Sequence, residues 1–223
     1  MAGYFEPAEG GGAAIALDEV EVSILRSLMA QLLELIGPGD GPADRPQRPE
    51  GGGSVEEELA GIEAVSWPPY AEGPSEPPAD PVLARLFPDA YGPGPGERGG
   101  GGEGGAAEEA RAKEERAASA EFRRYTENDL RARKREDGLA VVRALDSLTP
   151  GERGAVLTLG PQESQHWLGA LNDLRLALGT RLEVSEDDDE LYALPDSDER
   201  KPLVMAYLWL GGLQETLIET LTP

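Results

Sequence analysis

Residues 161–182 read PQESQHWLGALNDLRLALGTRL, and this stretch decides the fold that the sequence predicts. Proline is favoured in the first turn of a helix, so Pro161 marks a helix start. The large apolar side chains then recur at i, i+4, i+7 and i+11, the spacing of one helix face, at Trp167, Leu171, Leu174 and Leu178. Gly179 is the expected C-terminal cap. A helix with such a face must pack against other elements of the chain.

The N-terminal part of the chain predicts a small β element followed by a helix. Residues 4–5 and 13–17 are apolar, and they flank Gly10-Gly11-Gly12, whose backbone freedom suits a turn between two strands. Asp18 is the expected N-cap of the helix, and Glu21 completes a capping-box pattern. Gly37-Pro38 ends this helix.

Three more helices are predicted farther along the chain. Asp80-Pro81 begins a short helix that Pro88 ends, a long helix covers roughly residues 118–148, and the last helix begins at Pro202. Residues 181–184 are expected to be extended. We therefore expect a mainly α fold, a bundle of about four main helices plus a short helix, with a small N-terminal β element.

Glycine and proline divide the chain unevenly. The 223 residues include 29 glycines and 19 prolines, most of them in residues 37–79 and 92–117, where apolar residues are few. Such composition cannot form a packed core. We expect two flexible, disordered insertions in one helical domain that spans residues 1–223.

The charge balance excludes several classes of function. Aspartate and glutamate number 43 against 20 lysines and arginines, a net charge of −23. That charge repels nucleic acid and anionic membranes, but it permits contact with a basic protein. No cysteine is present, which excludes thiolate nucleophiles, disulfides and cysteine-ligated metals. The N-terminus lacks the pattern of a secretory signal, and the longest uncharged run, residues 202–214, is too short to span a bilayer. We expect a cytoplasmic protein.

Polar residues interrupt the apolar helix at residues 172–175, and these are the candidate site residues. Asn172 and Arg175 lie at the edge of the apolar stripe, and Arg181 follows near the helix end. One interpretation is a structural ion pair from Arg175 to Asp129 or Glu215, and the other is a pocket for a partner or ligand. The proposed polar centre consists of Arg124, Asp129, Asn172, Arg175 and Arg181.

No catalytic or cofactor motif is complete. Glu163 and His166 have the E-x-x-H spacing, but His166 is the only histidine, so the second copy that a di-metal bundle site requires cannot exist. A half-buried or surface histidine is therefore favoured. The arginine-rich run of residues 123–135 is interleaved with acids, and Glu127 with Arg131 forms a favourable i, i+4 pair. This pattern favours a self-paired helix face over an RNA site. No catalytic residue, metal ligand or cofactor is predicted.

Three stretches together resemble a known family: DPVLARLFPDAY (80–91), EFRRYTENDLR (121–131) and ALNDLRLALGTRL (170–182). With residues 17–28 and 213–216, they are similar to the actinobacterial domain of unknown function numbered twenty-seventeen. The resemblance covers nearly all of the chain outside the two insertions, and it brings no established activity, cofactor or catalytic residue. It implies a genomic context instead, because such genes often lie beside the gene for ClpS, the adaptor of the Clp protease, and near a small sulfur-carrier protein.

Three hypotheses of function follow. The first is a non-enzymatic helical interaction or regulatory protein, linked to ClpS and Clp-dependent proteolysis or to the neighbouring sulfur-carrier system. The second is an enzyme or small-ligand-binding protein with a pocket between helices around the same polar residues. The third, weaker hypothesis is a transcriptional regulator. A protein partner is expected for the first, with no nucleic acid or membrane partner, and the oligomeric state stays open.

Overall fold

The computed structural model describes residues 3–38, 72–92, 106–149, 154–185 and 193–222. These residues form five helices and one three-stranded sheet. The helices are α1 (Glu19–Ile36), α2 (Pro81–Leu86), α3 (Ala106–Asp146), α4 (Pro161–Arg181) and α5 (Lys201–Leu221). The strands are β1 (Glu6–Ala8), β2 (Gly12–Leu17) and β3 (Ala155–Leu159). The mainly α fold with a small β element is confirmed.

Helix α4 lies at the centre of the fold, as its apolar stripe predicts. It packs against α1, α2, α3 and α5, and also against the sheet. The side chains of the stripe, Trp167, Leu171, Leu174 and Leu178, are all buried. Because α4 contacts all four other helices and the sheet, it positions the polar side chains that project from its edges.

Local signals fix the starts of the helices. In α1, the Asp18 carboxylate accepts a hydrogen bond from the Glu21 N–H at 2.8 Å, and Glu21 accepts one from the Asp18 N–H at 2.9 Å. This is the predicted capping box. In α2, the Asp80 carboxylate accepts hydrogen bonds from the N–H groups of Val82 and Leu83. Both caps satisfy donors that the first helical turn leaves unpaired.

The sheet differs from the prediction in two ways: its first strand is Glu6–Ala8 instead of residues 4–5, and a third strand joins it. Strands β1 and β2 pair antiparallel across the predicted glycine turn, but β2 also pairs antiparallel with β3, with Ile15 opposite Leu157. The buried side chains of β2 and β3 form one face, and Phe5 meets the Trp167 ring edge-on at 5.9 Å between centroids. The sheet therefore covers one end of α4.

Two predicted helix boundaries are wrong. Helix α3 begins at Ala106 instead of near residue 118, because the alanine-, glutamate- and arginine-rich residues 106–117 favour helix despite their charge. This part of the expected second insertion is therefore helical. Helix α4 continues past Gly179 to Arg181, and residues 181–184 form no strand. Gly179 instead makes room for the Tyr207 ring, since an added Cβ would lie 3.3 Å from it.

The described part of the first insertion is irregular and attached to α3. Residues 72–80 form no helix or strand, and the Gly73 N–H donates to the Arg124 carbonyl at 2.8 Å. Residues 39–71 and 93–105, most of the two predicted insertions, lie outside the described residues.

Candidate functional site

The structure divides the five predicted site residues among separate places. Arg124 lies on α3 and pairs with the Glu72 carboxylate at 3.0 Å, and Asp129 is exposed one turn farther along that helix. Asn172 and Arg175 share one partner, Gln214 of α5. Arg181 is exposed at the end of α4. Only Asn172 and Arg175 are thus brought together, and the five residues form no single polar centre.

The ion pair expected for Arg175 is not formed. Its Nη1 donates to the Gln214 Oε1 at 2.7 Å, and its guanidinium carbon lies 5.3 Å from the centre of the Tyr207 ring. Asp129 and Glu215 both have exposed side chains and neither reaches Arg175, which has no acidic partner within the described residues. The reason is the packing of α5, which turns Gln214 and Tyr207 toward α4 in place of Glu215.

The most buried of the ion pairs in the described residues lies on α3, in a group that we call the Arg123 cluster: Asp89, Arg123, Glu127 and Arg131. Arg123 is only 4% exposed and Glu127 only 3%. Arg123 donates to the Asp89 carboxylate at 2.9 Å and to the Glu127 carboxylate, and Glu127 also accepts from Arg131 at 2.7 Å. The predicted Glu127–Arg131 pair is therefore present, and Arg123 of the same arginine-rich run is buried beside it, which the local spacing does not predict.

The Arg123 cluster is balanced in charge, which is why it can be buried. Burial by itself lowers the pKa of Arg123, but the hydrogen bonds to Asp89 and Glu127 outweigh it and raise the pKa of Arg123 above its usual value. Arg131 adds a contact of its guanidinium with the Phe87 ring, at 4.3 Å from the ring centre. Removing one member would leave an uncompensated charge in a buried place.

The Arg123 cluster fixes the segment that follows α2. Both terminal nitrogens of Arg123 donate to the Phe87 carbonyl at 3.1 Å. Four residues on, Tyr91 exchanges two hydrogen bonds with the Ser119 hydroxyl, at 3.0 Å from its N–H and 2.9 Å to its carbonyl. Residues 87–91 are therefore held against α3 at both ends.

This arrangement presents an exposed group of aromatic side chains, which we call the aromatic patch: Tyr91, Phe122 and Tyr125. Tyr91 and Phe122 meet edge to face with their centroids 6.3 Å apart. Arg124 lies 5.3 Å from the Tyr125 ring centre. All three aromatic side chains are about half exposed. Ordered aromatic residues beside an arginine are the composition typical of the energetic centres of protein interfaces.

Two polar contacts join α3 to α4. Lys134 donates to the buried Asp173 carboxylate at 2.6 Å, and the Asp137 carboxylate lies 2.7 Å from the His166 Nδ1. Burial raises the pKa of Asp173, and the nearby Lys134 opposes that change only in part. Gly169 permits the close approach, because an added Cβ would lie 2.6 Å from an Asp137 oxygen.

Both residues of the E-x-x-H motif, Glu163 and His166, make structural contacts. The Glu163 carboxylate accepts a hydrogen bond from the Gly160 N–H at 2.8 Å, which caps α4, and His166 is half-buried beside Asp137. Within the part of the chain that the structure describes, no group of three or more histidine, aspartate or glutamate side chains is arranged to hold a metal ion.

Several open grooves border α4 within the described residues, and two of them include Asp129 or Arg175. One, of about 510 Å³, runs between α3 and α4 and is lined by polar side chains that include Asp129, Arg133 and His166. The other, of about 620 Å³, lies where α2, α4 and α5 meet and includes Arg85, Arg175 and Tyr207. None of the described helices is long and apolar enough to cross a membrane.

Comparison with known proteins gives a family but no solved structure. The family described as domain of unknown function (DUF2017) matches residues 2–221. A protein named oxidative stress regulator AosR from Mycobacterium tuberculosis (strain ATCC 25618 / H37Rv) is 27% identical over 198 residues, which cover 89% of this chain and 77% of that protein. The putative oxidative stress regulator AosR of Mycobacterium leprae (strain TN) is 28% identical over the same length and the same shares. No solved structure matches the chain.

Proposed function

We propose that this chain, which belongs to the DUF2017 family, is a regulatory protein that acts by binding a protein partner through the aromatic patch. The observation that carries the proposal is the anchoring of that patch. Tyr91 is exposed but its backbone is held by Ser119, and the segment before it is held by the buried Arg123. A surface that is ordered before binding loses little conformational entropy on binding.

The charge of the chain favours a protein partner over DNA. A net charge of −23 opposes the approach of phosphate groups, and DNA binding depends on lysine and arginine contacts to those groups. The same charge attracts a basic protein surface. We therefore propose a partner that has a basic surface and places an apolar side chain against Tyr91, Phe122 and Tyr125.

The names of the relatives support a role in the response to oxidative stress. Proteins 27–28% identical to this chain are named as regulators of that response. None of the 223 residues is cysteine, so thiol–disulfide exchange within this chain cannot carry the signal. We propose that the partner senses the oxidant and that this chain transmits the signal by contact.

The finer link to ClpS, or to a sulfur-carrier protein, rests on the genomic context that the family resemblance implies. The names of the relatives do not bear on it. Its direct test is binding of purified ClpS and purified sulfur carrier to this chain, measured separately. Failure of both would remove these partners and leave the regulatory proposal to be tested on its own.

The aromatic patch is tested by affinity capture with matched variants. Phe122 is 49% exposed and Ile218, on α5, is 45% exposed, so Phe122→Ala and Ile218→Ala remove similar exposed apolar surface. Both variants and the wild type would capture proteins from a mycobacterial lysate, with and without peroxide. Each captured protein would then be purified and its affinity for the chain measured by calorimetry.

We expect one basic protein to bind the wild type and the Ile218→Ala variant with equal affinity. The same protein should bind the Phe122→Ala variant at least about tenfold more weakly. Equal binding by all three would overturn the assignment of the patch. Tight binding of duplex DNA by the wild type at low salt, where phosphate contacts are strongest, would favour the transcriptional hypothesis that requires DNA contact instead.

A further inference from the structure

The groove where α2, α4 and α5 meet holds two arginines without acidic partners. Arg85 is exposed in the last turn of α2 and has no ion pair or hydrogen bond within the described residues. Arg175 enters from α4, and its Nε is buried without a hydrogen-bond partner. Among the described residues, Glu183 is the one acid that lines the groove, so this described lining carries more positive than negative charge in a chain of net charge −23.

Arg175 is held in place by neighbours that leave part of its hydrogen-bonding capacity unused. Gln214 accepts from Nη1 alone, and the guanidinium lies over the Tyr207 ring. Gly211 lies beside it, since an added Cβ on that residue would be in ordinary van der Waals contact, 3.6 Å from the Arg175 Nε. A guanidinium has five N–H donors in a planar fork that matches a carboxylate or a phosphate. The side chain is therefore ordered, charged and incompletely paired.

The rest of the groove suits a small molecule. Its volume of about 620 Å³ falls within the range of roughly 300–1,000 Å³ that small-ligand sites occupy. Apolar surface comes from Ala84, Leu176, Val184 and the Tyr207 ring, beside the two arginines. An apolar lining with a few converging polar groups is typical of ligand pockets.

We propose that this groove binds a small organic anion, whose carboxylate or phosphate group is held by Arg85 and Arg175 and whose apolar part contacts Leu176 and Tyr207. The bound anion supplies the acidic partner that Arg175 lacks in the protein. A buried charged donor without a partner is costly, and its pairing with an anion recovers that cost. The proposal does not rest on the aromatic patch, which lies on α3 and the segment after α2.

Three probes of similar shape separate charge from apolar contact: phenyl phosphate, benzoate and neutral benzyl alcohol. Their binding to the full chain would be followed by NMR chemical shifts during titration. We expect saturable binding of at least one of the two anions, weaker binding of benzyl alcohol, and a decrease in anion affinity as salt is added. Comparison of phenyl phosphate with benzoate identifies the preferred acidic group.

The variants Arg85→Gln and Arg175→Gln test the two arginines, and Lys113→Gln, an exposed cation on α3, is the matched control. Each groove variant should weaken anion binding at least about tenfold, whereas Lys113→Gln should leave it unchanged. Arg85 is exposed and makes no hydrogen bond or ion pair within the described residues, so its variant stays informative even if Arg175→Gln fails to fold. Absence of saturable anion binding, or equal affinity in all variants, would overturn the proposal.

Discussion

Arg123 donates hydrogen bonds from both of its terminal nitrogens to the carbonyl oxygen of Phe87. The two residues belong to different parts of the chain, since Phe87 follows α2 and Arg123 lies in the middle of α3. Phe87 is itself buried, so this contact joins a buried apolar residue to the buried charge of Arg123. Through it, the buried face of α3 determines where the exposed Tyr91 is placed.

Arg123→Ala should lower the free energy of unfolding by about 3–5 kcal/mol, because it removes one of the two cationic partners of the buried Glu127 and the donor to the Phe87 carbonyl. Urea denaturation followed by circular dichroism measures this change. Arg26→Ala is the control, since it breaks the exposed pair with Asp146 and should cost less than about 1 kcal/mol. Equal losses in the two variants would mean that the Arg123 cluster does not stabilise the fold.

Ser119→Ala should loosen the aromatic patch without unfolding the chain. The variant removes the acceptor of the Tyr91 N–H and the donor to the Tyr91 carbonyl, which together contribute about 1–2 kcal/mol. The Tyr91 amide should therefore exchange its hydrogen faster than in the wild type, as NMR can follow. Ser147→Ala, which removes a hydroxyl bonded only to the carbonyl of Ala144, should leave that exchange rate unchanged. A protected Tyr91 amide in Ser119→Ala would contradict the anchoring role.

The buried Asp173 should make stability depend on pH. Burial raises the pKa of Asp173 above its usual value of 3.8, so the folded chain binds more protons than the unfolded chain between that value and the raised pKa. The contribution of Asp173 to the free energy of unfolding therefore decreases as pH rises through this window.

Comparison with Asp173→Asn isolates this effect, because the variant cannot titrate at this position. Urea denaturation across the window should show the stability of the wild type falling relative to Asp173→Asn as pH rises. A wild-type stability that rises relative to Asp173→Asn would show that Lys134 outweighs burial.

Oxidant should modify the chain at Met205 and leave Met29 intact. Met205 on α5 is 53% exposed, whereas Met29 is completely buried between α1 and its neighbours. Thioether oxidation requires access of peroxide to the sulfur. Peptide mass spectrometry after mild peroxide treatment should find one added oxygen on Met205, and Met205→Leu should lose it. Early oxidation of Met29 would mean that α1 opens readily.

The local signals of the sequence were sufficient for most helix starts. Asp18 with Glu21, and Asp80 with Pro81, act on backbone groups within three residues, so their effect does not depend on the rest of the fold. The apolar stripe of α4 likewise follows from spacing alone. The pairing of Glu127 with Arg131, one helical turn apart, could be predicted for the same reason.

The tertiary structure decided which distant groups meet. Residues 155–159 carry no strong strand signal and become β3 only because β2 offers an edge to pair with. Arg123 is buried because Phe87 and Asp89 pack against α3. Arg175 faces Gln214 and Tyr207 because α5 packs across α4 at that point. Spacing within the chain determines the face on which a side chain lies, but the partner across that face depends on the packing of elements far apart in sequence.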